Sequence, residues 1–216
     1  MSFFKKEKED VKVIHPPVLG WLEKKLSDKE MEYLWRCVDN RKESKKSTLA
    51  GQIHESNVIF DKSDWFWQHT LLPLCIKYNQ EFSNLGDNIP VNQKHPYYLR
   101  TLWVNYQKQN EFNPNHDHGG IYSFVIWMKI PTKHSEQNKN PISSKANGHT
   151  ISGFEFHYLN ILGQMRPYMY EMNPEMEGTI LFFPAKLVHC VYPFYNCDED
   201  RISISGNIVM NTAITL

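Results

Sequence analysis

The chain has 216 residues, 41% hydrophobic and 13% aromatic, with 24 Lys and Arg against 24 Asp and Glu. That length and apolar content suit one globular domain with a sizeable core, or one domain with a helical extension. Zero formal charge offers no electrostatic case for nucleic acid or membrane, and no run of eighteen apolar residues exists to span a bilayer.

The first residues, MSFFKKEKEDVKV, are charged and do not read as a secretory signal. Two helical patterns follow. SDKEMEYLWRCV opens on Ser27 with Glu30 three residues later, a capping box, and then places Met31, Leu34, Trp35 and Val38 at helical spacing. DKSDWFWQHTLLPLCIKYNQEF has Ser63 or Asp64 as candidate caps, an inner face of Leu71, Leu72, Cys75, Ile76 and Tyr78, and Pro73 as a kink or break. The polar NRKESKKSTLAGQI between them reads as a loop. These elements define an N-terminal helical region, residues 1–96, packing on a core of residues 97–216.

From Tyr97 the apolar period becomes two. Strands are predicted at YYLRTLWVNYQ, YSFVIWMKI, FEFHYLNIL, PYMYEM, GTILFF, LVHCVY and RISISGNIVM, separated by Pro, Gly and Asn. Seven short strands after two helices predict a mainly β fold, an antiparallel sandwich or jelly roll with helices outside. Residues 131–150 are almost free of large apolar side chains and read as a surface insertion, either filler or a lid, with His134 and His149 solvated. Cys37, Cys75, Cys190 and Cys197 show no CxxC spacing, so reduced and mostly buried thiols are expected rather than a zinc site.

The stretch FNPNHDHGGIYSFVIW places His116 and His118 one residue apart at the mouth of a hydrophobic strand. Side chains at i and i+2 share a face of an extended chain, so the two imidazoles point together and Asp117 points away. Neutral imidazoles ligate iron, zinc, nickel or copper. His189, flanked by apolar residues in FFPAKLVHCVYP, is the candidate third ligand. In RISISGNIVM, Arg201, Ser203, Ser205 and Asn207 alternate with Ile202, Ile204 and Ile208. The polar row requires either water or a polar cavity, because an unpaired buried guanidinium is costly. An Arg fork at the far end of a metal-bearing cleft suits a carboxylate, and Ser203 can add a further bond.

NPNHDHGGIYSFVIW, GTILFFPAKLVHCVYP and RISISGNI, together with LAGQI near Leu49, resemble blocks of the iron(II)- and 2-oxoglutarate-dependent oxygenases, most closely those carried by marine bacterial viruses. The resemblance covers most of the chain and implies a double-stranded β-helix. It implies Fe(II), with 2-oxoglutarate and O2 as co-substrates, decarboxylation to succinate, and hydroxylation of an unactivated C–H bond. His116 and His189 match the first and distal metal ligands, and Arg201 with Ser203 matches the site for the far carboxylate of 2-oxoglutarate. Asn105 and Tyr106 are candidates for its other polar groups; they have opposite strand parity, and Asn105, which shares a face with Trp103, is favoured. Where the pattern carries a carboxylate, this chain has His118. Three histidines are therefore expected at the metal, the alternative being a bulge that turns Asp117 inward. Trp127, Phe182 and Phe183 are candidate walls of the site. A peptidyl proline or another protein side chain is the expected substrate, and the cytoplasm (the host's, for a viral protein) the expected location. The competing readings are a cupin-like three-His dioxygenase that does not use 2-oxoglutarate, and a non-catalytic jelly-roll binding module.

Overall fold

The computed structural model describes residue 14 and residues 18–41 and 51–215. Most of the loop expected between the two helices, and the N-terminal stretch, lie outside them. In chain order the elements are β1 (Leu22–Lys25), α1 (Asp28–Asp39), β2 (Glu55–Val58), α2 (Leu72–Glu81), β3 (Tyr97–Gln107), β4 (Asn113–His116), β5 (Tyr122–Lys129), α3 (His134–Gln137), β6 (Phe154–Leu159), β7 (Met165–Tyr170), β8 (Thr179–Pro184), β9 (Val188–Val191) and β10 (Arg201–Met210). The strands form two antiparallel sheets, ordered β1-β8-β5-β10-β3-β2 and β4-β9-β6-β7. β3 and β10 have the predicted bounds, and the other predicted strands agree to within a few residues at their ends. β1, β2 and β4 were not predicted. β1 and β2 come from the N-terminal region and supply both edges of the larger sheet.

The capping box forms as the sequence predicts. Glu30 N–H donates to Ser27 Oγ at 3.4 Å, and Ser27 N–H donates back to Glu30 Oε2 at 2.7 Å. Lys24 Nζ and Thr70 Oγ1 also donate to Glu30, each at 2.7 Å. Burial alone would raise the Glu30 carboxyl, but the bonds from Lys24, Ser27 and Thr70 outweigh it and hold the pKa at about 2. The second helix departs from expectation. Ser63 and Asp64 have φ of 65° and 52°, a left-handed conformation unsuited to an N-cap. Asp61 takes the role instead, its carboxylate accepting from Phe66 N–H (2.9 Å) and Trp67 N–H (2.7 Å). A π-helical turn, Trp67–Leu71, then leads into α2, where Pro73 is the second residue. Pro73 therefore does not split the segment, which stays helical over residues 65–81; the π-helical turn just before it is where the ladder departs from regular α-helix.

Two cores flank the larger sheet. Leu34, Phe66, Tyr78, Phe124, Ile204 and Ile208 belong to the core between helices and sheet. Trp127, Phe154, Phe156, Leu181 and Phe183 belong to the core between the two sheets. Gly206 is required on the helical side: a Cβ there would lie 2.5 Å from Phe124 Cζ and 2.8 Å from Thr101 O. The insertion at 131–150 is tied down more firmly than its composition suggests. His134 is 2% exposed, not solvated; its Nε2 lies 2.8 Å from His149 O, and its N–H donates to Asn173 Oδ1. Gln137 exchanges two hydrogen bonds with the Tyr195 backbone. Polar partners do here what apolar contacts do elsewhere. His149 is exposed, as expected.

Candidate metal centre

The short β4 pairs with β9 so that His116 stands directly opposite His189. The chain then turns, and His118 is fixed just beyond the strand by its own N–H, which donates to Ala185 O at 2.8 Å. His118 thus keeps the side of His116 without lying in a regular strand. Ring centroids are 4.3 Å apart for His116 and His189, 5.0 Å for His118 and His189, and 5.2 Å for His116 and His118. One nitrogen from each of the three lies within 4.8 Å of the others, a spacing that could hold a metal ion.

The partners on the other ring nitrogen fix the tautomers. His116 Nδ1–H donates to Pro114 O (2.7 Å) and His189 Nδ1–H donates to Leu187 O (2.9 Å). A carbonyl oxygen only accepts, so Nδ1 carries the proton and Nε2 keeps its lone pair. His118 Nδ1–H donates to Asn207 Oδ1 (2.9 Å), with Ser123 Oγ also at 3.0 Å. Burial, reinforced by the neighbouring His116 and His118, lowers the His189 pKa well below its ordinary value; burial also lowers that of His116, against its bond to Pro114 O and the charge of Asp117. Neutral, lone-pair-bearing imidazoles are the form a metal requires.

Asp117 has another partner. Its Oδ1 lies 3.1 Å from Lys186 Nζ at the rim of the cavity. The donor set that converges is histidine-only, with no bulge turning a carboxylate inward.

Beside the histidines lies a cavity of about 420 Å³, lined on one side by Thr101, Trp103, Asn105, Ser203, Ser205 and Asn207. Trp127 and Phe183 contribute to its walls; Phe182 instead packs in the core between helices and sheet. Asn105 lies in the wall, its Oδ1 accepting from Ser56 Oγ at 2.7 Å. Tyr106 does not: parity turns it to the opposite face, under the Arg41 guanidinium at 5.3 Å. Arg201 shares the strand face of Ser203 and Ser205 but, unlike them, does not line the cavity; it is buried at 1% exposure. Its Nε and Nη2 bond Gln107 Oε1 (3.1 and 2.9 Å), Nη1 bonds Ser152 O (2.8 Å) and Nη2 also bonds Tyr192 O (2.7 Å). Desolvation lowers its pKa to about 9, and none of these partners is a carboxylate. The sequence reading did not find the tie from Asn207 and Ser123 to His118. Nor did it find three buried atoms of wall residues, Trp127 Nε1, Thr101 Oγ1 and Asn113 Oδ1, which have no hydrogen-bond partner among the described residues.

Residues 101–207 match a family described as "putative 2OG-Fe(II) oxygenase". No curated protein matches the chain. A Pseudomonas putida prolyl-4-hydroxylase structure aligns with a TM-score of 0.50 at 12% identity, covering 89% of this chain and 94% of the other. A Trichoplax adhaerens prolyl hydroxylase, solved with a hypoxia-inducible-factor peptide fragment, aligns with a TM-score of 0.52 at 11% identity, covering 88% and 82%. At such identities the likeness concerns the fold, a mainly β architecture of antiparallel sheets shared with oxygenases that adopt the jelly roll. The family match spans β3 to β10, the segment that carries the histidine triad and most of the cavity wall, and the chain belongs to the iron(II)- and 2-oxoglutarate-dependent oxygenases.

Proposed function

We propose that His116, His118 and His189 hold iron(II) through their Nε2 atoms, and that the adjoining cavity takes 2-oxoglutarate. The observation that carries this reading is the convergence of three imidazoles whose Nδ1 atoms are each committed to an oxygen acceptor. The cavity fits the co-substrate in kind: three wall residues carry buried polar atoms that have no partner among the described residues, and the Ser203 and Ser205 hydroxyls line the same wall. Bound iron supplies oxidative decarboxylation of 2-oxoglutarate coupled to hydroxylation of a C–H bond. The protein's part is orientation and shielding. The backbone carbonyls of Pro114 and Leu187 and the Asn207 carboxamide fix the ring planes. In the cavity wall Ser203 supplies a hydroxyl donor and Asn105 a polar surface, while Arg201, on the same strand face but outside the wall, is the candidate positive charge for the co-substrate's far carboxylate. Trp103 stacks on His118, with centroids 5.7 Å apart, and Phe183 packs against His189 at 5.0 Å, so both would shield the imidazoles from water on their side of the cavity.

A three-His set contributes no negative charge, so the metal keeps one more positive unit than with a carboxylate ligand and attracts an anionic co-substrate more strongly. The substrate in this reading is a side chain of a protein or peptide, peptidyl proline first, supported by the prolyl-hydroxylase fold of the two solved relatives. In this reading the described residues of the 1–96 region pack on the catalytic core of 97–216 and extend its larger sheet, within one globular domain. The cytoplasm is the proposed location; among the described residues no helix is long and apolar enough to cross a membrane. The test is succinate formation by the purified chain with iron(II), 2-oxoglutarate and oxygen, with and without proline-containing peptides. The expected result is slow uncoupled succinate release that a substrate peptide stimulates. Release that no proline peptide stimulates, while another peptide does, would move the substrate elsewhere.

A further inference from the structure

A second group of metal-type donors lies on the opposite face of the smaller sheet. Along β6, Phe154 and Phe156 face the core between the sheets, so Glu155 and His157 face outward. On β9, His189 faces inward, so Cys190 faces outward, and the register sets it directly opposite Glu155. Glu155 Oε1 lies 3.0 Å from His157 Nε2, and Cys190 Sγ lies 3.8 Å from the same nitrogen. All three donor atoms lie within 4.8 Å of one another. Tyr192 OH donates to Glu155 Oε1 at 3.3 Å and closes one side of the group.

We propose that Glu155, His157 and Cys190 form a zinc site separate from the catalytic centre. Three observations converge on it. The spacing is right: ligand atoms about 2.0–2.3 Å from a tetrahedral zinc stand roughly 3.3–3.6 Å apart, and the observed 3.0 and 3.8 Å bracket that range. The donors are right: a thiolate and an imidazole select zinc over magnesium or calcium, which want oxygen alone. The burial needs a cation: Glu155 is 5% exposed and Cys190 6%, and the carboxylate's partners are a phenol and an imidazole, with no Lys or Arg among them. A buried carboxylate without a counter-charge is costly, and a metal at the centre of the group would supply one. The His157 side chain, 17% exposed, leaves a route for entry and a place for water as the fourth ligand. Bound there, zinc would pin β6 to β9 one residue from His189 and so stiffen the strand that carries a catalytic ligand.

The competing reading is a protonated His157 paired with Glu155, and cobalt(II) separates the two. The full-length chain, stripped with chelator, is titrated with cobalt(II) as a spectroscopic stand-in for zinc. The histidine triad contains no sulfur, so only the second site can give a near-ultraviolet thiolate-to-cobalt charge-transfer band. The expected result is two equivalents bound, one of them with that band, displaced by zinc and lost in Cys190→Ser while His116→Ala leaves it in place. Zinc at about a hundredfold excess over its dissociation constant should raise the Tm of His116→Ala by roughly 5–10 °C. If Cys190→Ser does not fold, His157→Gln replaces it, since that side chain reaches solvent. A folded wild-type chain that shows no band, or a band that survives both variants, overturns the proposal.

Discussion

The two faces of the larger sheet use the same strands for different ends. Toward the helices, β10 presents Ile204 and Ile208 to a sealed core with Phe124 and Tyr78. Toward the smaller sheet, the alternate residues Ser203, Ser205 and Asn207 line a cavity that ends at three histidines. One face buries apolar area and carries stability; the other holds wall atoms that have no hydrogen-bond partner among the described residues. The period of two lets one strand do both, because each substitution acts on one face only.

Substitutions on each face should therefore separate function from stability. The largest functional loss is expected for His189→Ala: turnover falls to background and iron affinity by more than about a hundredfold, while the apo chain stays folded. Calorimetric metal titration with circular dichroism checks both parts. On the other face, Phe124→Ala should cost about 3–5 kcal/mol in denaturant unfolding, with the surviving folded fraction still binding metal. Loss of metal binding in that folded fraction would show the faces to be coupled. Asn207→Ala removes the acceptor that fixes His118 and should weaken metal binding about 10–100-fold with little change in Tm. The smallest effect lies far from the site, at Glu30. Its folded pKa of about 2 is below its ordinary value of 4.5, so its contribution is present above pH 4.5 and lost as pH falls toward 2. Glu30→Gln should lower stability at neutral pH by about 1–3 kcal/mol and flatten the acid limb of a stability profile between those pH values.

Much of this division was legible in the sequence, because long strands of period two declare both faces. β3 and β10 were placed to the residue, whereas the polar row of β10 left water and a polar cavity open; Ser203, Ser205 and Asn207 line a cavity and Arg201 lies outside it. The histidine triad was legible from HxH spacing and from His189 in an apolar strand. Short or polar elements escaped. β4 spans four residues and contains Pro114, and LEKK of β1 has only one apolar residue. Asp61 was missed as a cap because it acts across an irregular turn, five and six residues before its donors. His134 looked solvated because its burial rests on polar partners that only tertiary structure supplies. Cys190 and His157 met no sequence spacing because the pairing of β6 and β9 brings them together.

The account turns on His118 rather than Asp117 completing the metal's ligand set. Anaerobic titration of the chain with iron(II) and 2-oxoglutarate, followed by the weak visible charge-transfer absorption of the complex, measures this directly. The predicted result is one equivalent of iron, with the band abolished in His118→Ala and intact in Asp117→Asn. A band that survives in His118→Ala and disappears in Asp117→Asn would contradict it.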